Sequence, residues 1–192
     1  MPKTARTSIP VHEFIAERWS PRSFDEDAEL GREELVAMIE AARWAPSALN
    51  LQPWRFAIGL RGTPLFEGLH AALTAGNQSW AHRASALIVG AADTLLPNGN
   101  RNPWATYDLG LAVSLLTVQA HAMGLYVHQM GGLDKAAIAT LLELPSPIEP
   151  VIVLAVGTLA GPEQLDQGPL RDREVSVRER KPLTEIVLTG LQ

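Results

Sequence analysis

The stretch Ala45–Phe56 reads A-P-S-A-L-N-L-Q-P-W-R-F. It breaks an amphipathic run with Pro46 and Ser47, sets two amides (Asn50 and Gln52) among apolar neighbours, and closes with Pro53 before a strand-like segment. The residue before a proline is driven out of the α region, so the preceding helix stops here. A buried amide costs on the order of 1–3 kcal/mol unless its donors and acceptors are met. Asn50 and Gln52 therefore call on either the fold or a ligand, and the segment is suited to holding something polar and flat.

Upstream, Leu30–Trp44 carries Leu35, Met38, Ile39 and Ala42 at i, i+3, i+4 and i+7, which predicts a helix with one buried face. Val11–Glu17 reads as a short helix closed by Ser20-Pro21. Downstream, Trp54–Leu60 suits a strand ending at the turn Arg61-Gly62, and Pro64–Leu73 a helix with Thr63 as N-cap. Ala86–Ala92 (A-L-I-V-G-A-A) is a continuous apolar run of strand length, expected to be buried on both faces. Pro97–Asn100 is a loop. Trp104–Met123 is the longest helical segment, apolar around nearly its whole circumference; Asp108, Gln119 and His121 interrupt it, which argues against a membrane span.

Gly124 ends that helix, and Leu125–Met130 leads as a strand into Gly131-Gly132. Asp134 caps a helix over Lys135–Leu142, and Val151–Val156 is a second core strand. Gly161–Arg173 has no periodicity and reads as a surface excursion, with a terminal strand over Thr184–Leu188. Strands and helices mix without a regular βαβ rhythm, so the expected class is α+β, as a single domain over residues 1–192.

The chain has 192 residues, no cysteine and a formal net charge of −5. Disulfides, thiolate metal sites and cysteine nucleophiles are thereby excluded. The N-terminal stretch M-P-K-T-A-R-T-S-I-P lacks an apolar segment of signal-peptide length, so a cytoplasmic protein is expected. The acidic balance disfavours nucleic acid and anionic membranes as partners. Yet Arg18 and Arg22 lie near one end, and Arg171, Arg173, Arg178, Arg180 and Lys181 crowd the other. Two readings stand: islands that converge on a small anion, or ordinary solvated charge.

No G-x-G-x-x-G, Walker A or G-x-S-x-G sequence is present, and the five histidines show no metal-ligand spacing, so no metal is expected. What remains is a series of polar groups at element boundaries: Arg18-Trp19-Ser20-Pro21-Arg22, Pro46-Ser47 with Asn50 and Gln52, Asn77-Gln78, Gly131-Gly132 and Arg178–Lys181. Singly, each has a structural explanation in a cap, a helix end or a tight bend.

In this order they resemble the nitroreductase family of FMN-dependent NAD(P)H oxidoreductases. The pattern R-x-S-x-R-x-F is matched by Arg18, Ser20, Arg22 and Phe24, and A-P-S-x-x-N-x-Q-P-W by Ala45–Trp54. Asn77-Gln78 precedes the strand A-L-I-V-G, D-x-G-x-A stands at Asp108–Ala112, G-L-Y at Gly124–Tyr126 and R-x-R-K-P-L at Arg178–Leu183. Ser114 stands where the family often has Asn, and the chain is short, which points to a reduced helical insertion over the flavin and a more open pocket.

The resemblance implies a mostly antiparallel sheet flanked by helices, in a homodimer that exchanges C-terminal arms and holds FMN at the subunit interface. It assigns the phosphate to Arg18, Ser20, Arg178 and Arg180, with Trp19 beside them. Arg22 falls near flavin N1 and O2, Asn77 at the pyrimidine edge, and Gly131 and Gly132 where a backbone N–H approaches N5. Pro46, Ser47 and Asn50 reach the flavin bound mainly by the other subunit. NAD(P)H is the implied donor in a ping-pong cycle, with a nitroaromatic, quinone or enal as acceptor and no catalytic side chain. The alternative is a flavin-binding protein that stores, senses or degrades FMN without a nicotinamide step.

Overall fold

The computed structural model describes residues 3–190. Met1, Pro2, Leu191 and Gln192 lie outside the described residues, and with them the first residues of the stretch read for export and the ends of the expected 1–192 domain.

Helix α1 (Glu13–Glu17) leads to α2 (Arg32–Arg43), whose Leu35, Met38 and Ala42 are buried at the predicted period. The Glu34 carboxylate accepts from Gly31 N at 2.7 Å and closes the N-terminus of α2. Strand β1 (Trp54–Leu60) is followed by α3 (Pro64–Ala71), where Thr63 Oγ1 accepts from Phe66 N and Pro64 opens the first turn. Helix α4 (Ala75–Ala81) and strand β2 (Ala86–Asp93) precede α5 (Ala105–Ala122). Gly124 takes φ +79°, a conformation that favours glycine, and turns the chain into β3 (Tyr126–Met130). Asp134 caps α6 (Lys135–Leu141) through Ala137 N at 3.0 Å, and β4 (Ile148–Gly157) completes the sheet.

The sheet order is β1-β2-β4-β3, antiparallel throughout. Its central strands are buried on both faces because helices cover both. Ile88, Leu154 and Val156 meet α2 and α5, while Leu87, Val89, Val153 and Ala155 meet Phe24, Phe66, Leu69, Trp80 and Ile138. Three layers result, and the α+β class read from the sequence holds. No helix among the described residues is long and apolar enough to cross a membrane.

Four local readings change. Residues 75–81 form a helix that the sequence did not announce, so Asn77 lies inside α4 rather than at a helix end. Gly161–Arg173 is partly ordered: a short 3-10 turn (Pro162–Gln164) buries the neighbouring Leu165, and α7 (Pro169–Val175) starts on a proline. Thr184–Leu188 is no strand in the single chain. With no neighbouring strand to bond, the segment satisfies its backbone locally in one helical turn, α8 (Leu183–Ile186), where Val187 N donates to Leu183 O at 2.8 Å. Finally, α5 buries one face through Leu109, Val113 and Leu116, while Tyr107 and Leu115 face outward.

The contact of β1 with α3 is close. A Cβ on Gly59 would lie 2.7 Å from Phe66 N and 2.9 Å from Phe66 Cα, and backbone atoms cannot step aside. Gly59→Ala is expected to cost about 1–3 kcal/mol of stability by overpacking, measured by urea unfolding. An unchanged midpoint would contradict this packing.

Candidate functional site

The two ends of the chain meet. Ala5 N donates to Ala16 O at 2.7 Å, and Arg178 Nη1 donates to Lys3 O at 2.6 Å and Ala16 O at 2.8 Å. The N-terminal segment is thus strapped between α1 and the residues after α7. Beside this strap lies a cavity of about 210 Å³ lined by Arg18, Ser20, Arg22, Arg178 and Arg180, with Lys3 and Arg173 at its wall and no carboxylate side chain. Five of the seven basic residues of the two islands meet at this cavity, while Arg171 and Lys181 do not line it.

The guanidiniums are crowded. Burial pulls the pKa of Arg18 down, and the charges of Arg178 and Arg180 pull it further. Arg178 is lowered by burial and then by Arg180. Arginine stays protonated in any protein, so the crowding leaves a pocket of net positive charge with free N–H donors. Arg18 Nη1 donates to Ser20 Oγ at 3.3 Å, which sets the hydroxyl beside the charge. That donor set fits a phosphate dianion. Arg178 does double duty, since one of its nitrogens is already committed to the strap carbonyls.

Trp19 is buried under Lys3, whose Nζ lies 4.5 Å from the indole centroid, and packs edge-on to Tyr126. Its indole Nε1 has no hydrogen-bond partner among the described residues. Trp19 lines both the basic cavity and a neighbouring one of about 470 Å³, as do Lys3 and Arg178.

Asn77, Gly131 and Gly132 form a second group. Asn77 Nδ2 donates to Gly132 O at 3.1 Å, as does Thr74 N. A Cβ on Gly132 would lie 2.7 Å from Thr74 Oγ1 and 3.0 Å from Asn77 Nδ2, so this glycine serves the packing of α4 against the end of β3. At Gly131 a Cβ would meet nothing within 4 Å.

The third group is Pro46, Ser47 and Asn50, and it lines neither cavity. Asn50 and Gln52 are exposed, which corrects the expectation of buried amides in need of a partner. The loop is held by its own atoms: Ser47 Oγ accepts from Gln52 N at 3.0 Å, and Gln52 Nε2 donates to Asn50 O at 3.1 Å. Buried Asp108 on α5 accepts from Ala48 N at 3.1 Å. Leu49, Asn50 and Gln52 all take positive φ (53°, 56° and 49°), a strained backbone for residues with side chains.

Three residues at the site escaped the sequence reading. Lys3 lies upstream of any motif. Glu174, just beyond the segment read as a surface excursion, is buried, and its carboxylate accepts from Arg22 N and Ser23 N at 2.9–3.0 Å. His128 on β3 bonds Pro21 O through Nδ1 at 2.8 Å and packs on Trp80 with ring centroids 4.5 Å apart. Periodicity detects none of these, because each acts through a contact more than 100 residues away along the chain or a buried polar atom.

Fold and site together define an α+β protein with an arginine cradle assembled from both chain ends. The chain belongs to the nitroreductase family, whose profile matches residues 15–62 and 61–158. A solved structure described as an oxidoreductase containing FMN is 33% identical, with a TM-score of 0.91 over 97% of this chain and 94% of its own. A Bacillus subtilis protein provisionally named NAD(P)H nitroreductase YdgI is 26% identical over 77% of this chain and 88% of its own length. A Lactiplantibacillus plantarum protein named CLA biosynthesis enone reductase is 28% identical over 74% of this chain and 82% of its own.

His128 gives the turn at Pro21 a pH-dependent contact. Burial, against the Pro21 carbonyl, which raises it, pushes its pKa from 6.5 down to about 4, and the charge of Arg22 lowers it further. The folded protein refuses a proton that the unfolded chain accepts, so the contribution is full above about 6.5 and is lost as pH falls towards 4. Urea titrations at pH 7 and pH 4.5 should show a loss of about 2 kcal/mol that shrinks in His128→Gln. Equal slopes for the two proteins would refute the assignment.

Proposed function

We propose that this chain is an FMN-dependent NAD(P)H oxidoreductase. The observation that carries the reading is the acid-free cavity in which Arg18, Ser20, Arg178 and Arg180 converge from opposite ends of the sequence. These four residues hold the phosphate. Arg22 presents a fixed cation to the N1–O2 edge of the ring, Asn77 offers the amide oxygen left over from its bond to Gly132, and the open backbone at Gly131 borders N5. The chemistry supplied with bound FMN is hydride transfer from NAD(P)H to an electron-poor acceptor (a nitroaromatic, quinone or enal) in two successive half-reactions. The protein's part is to position the ring, exclude water from one face and favour the negative charge that reduction leaves at N1–O2.

The functional unit is a homodimer of single-domain chains. Support comes from apolar groups that one chain leaves in water: Trp44 is 72% exposed, Leu49 85% and Tyr107 68%. The outer edge of β1 has no partner strand among the described residues, and the arm after Arg180 carries exposed Leu183, Ile186 and Leu188. An arm exchanged onto the other chain would supply the strand pairing that Thr184–Leu188 lacks alone, and a second chain would bring Pro46, Ser47 and Asn50 to the flavin.

Titration with FMN, followed by quenching of flavin fluorescence, tests the cradle. Arg18→Ala and Arg180→Ala should each weaken binding by about 10- to 100-fold, the cost of a lost charge-assisted bond. A protein that takes up no FMN ends the proposal. Parallel double-reciprocal plots against NAD(P)H and acceptor are expected, and intersecting lines would contradict successive half-reactions. Deleting residues 182–192 should shift sedimentation towards monomer and release flavin, and an unchanged flavin-loaded dimer would refute the arm exchange.

A further inference from the structure

Glu174 is a carboxylate only 4% exposed in a region crowded with arginine. Burying such a charge costs several kcal/mol unless hydrogen bonds replace the lost water. Here the replacement is backbone. Arg22 N lies 2.9 and 3.0 Å from the two oxygens, and Ser23 N lies 3.0 Å from the first. No ion pair within 4.0 Å involves the carboxylate among the described residues. Lys3 Nζ, the nearest alternative, binds the main-chain carbonyls of Glu174 (2.8 Å) and Arg173 (3.3 Å) at the C-terminal end of α7.

Two consequences follow. The carboxylate fixes the peptide planes of residues 22 and 23, and so the root of the Arg22 side chain, from a position 152 residues away. Its negative charge also reaches the Arg22 guanidinium, where it counters the effects of burial and of Arg173. Glu174 is therefore both a clamp on Arg22 and a counterweight to its field.

We infer that Glu174 is the positioning residue that sets the electron affinity of the flavin: it aims Arg22 at the ring and moderates the positive charge felt there. The inference rests on the FMN reading given above. An unopposed Arg22 would stabilise the reduced, anionic flavin more strongly than the oxidised one.

The test uses the intact protein and the variants Glu174→Gln and Glu174→Ala, with two readouts. Gln keeps an acceptor oxygen but no charge, so FMN should still bind. The ratio of reduced to oxidised flavin affinity should then rise about tenfold, which moves a two-electron midpoint potential about 30 mV more positive. Ala removes the acceptor, and exchange of the Arg22 and Ser23 amides, measured on flavin-free protein, should accelerate at least tenfold. A Gln potential unchanged, or shifted to more negative values, overturns the counterweight and leaves only a structural clamp. Unchanged exchange in Ala overturns the clamp. If the wild-type protein binds no FMN, the flavin reading fails, and the exchange measurement still decides whether Glu174 holds Arg22.

Discussion

Everything at this site depends on keeping several guanidiniums around one small cavity without a carboxylate lining it. Beyond burial, Arg178 and Arg180 weaken the hold of Arg18 on its proton, and Arg180 that of Arg178, so the folded chain carries a standing repulsion. It is contained by geometry: Arg178 is pinned to Lys3 O and Ala16 O, and Glu174 ties the turn carrying Arg22 to α7. An anion in the cavity would relieve the repulsion, and its binding would then favour the docking of the two chain ends. The net charge of −5 says nothing about this pocket, because the local field decides what enters it.

The sheet supplies the frame. β4 and β2 are buried on both faces, and the chain leaving β4 runs back beside the N-terminal turn, where Phe24 bridges Leu159. That bridge brings the Arg18–Phe24 segment to the last third of the chain. On the other face, Asp108 on α5 reaches the Pro46–Asn50 loop through Ala48 N. One core thus positions two separate edges: the cradle in the same chain, and an outward loop whose strained backbone and exposed Leu49 point away from it.

Much of this was legible in the sequence. The strands Trp54–Leu60 and Ala86–Ala92 and the helices opening at Pro64 and Lys135 fall where apolar runs and caps put them, because those signals are local. Short α4 was not legible, since a seven-residue helix with Gly76, Asn77 and Ser79 owes its form to packing rather than propensity. The tail misled for the opposite reason. Its weak alternation suggests a strand, but a strand needs a neighbour, and among the described residues this segment pairs with none and forms one helical turn. At the site, Arg18, Ser20, Arg22, Arg178 and Arg180 were found through motif order and do come together. Glu174 was invisible because a lone glutamate in a charged stretch gives no sign of burial.

The central claim, that the converging arginines exist to hold a phosphate esterified to a flavin, is tested most directly by comparing FMN with riboflavin on the wild-type protein. Calorimetric titration of each at moderate salt isolates the phosphate, since the two ligands differ in nothing else. Charge-assisted bonds from several guanidiniums predict that FMN binds at least about a hundredfold more tightly, with an advantage that shrinks as salt rises. Equal affinity for the two ligands would show that the cradle does not hold the cofactor and would contradict the account.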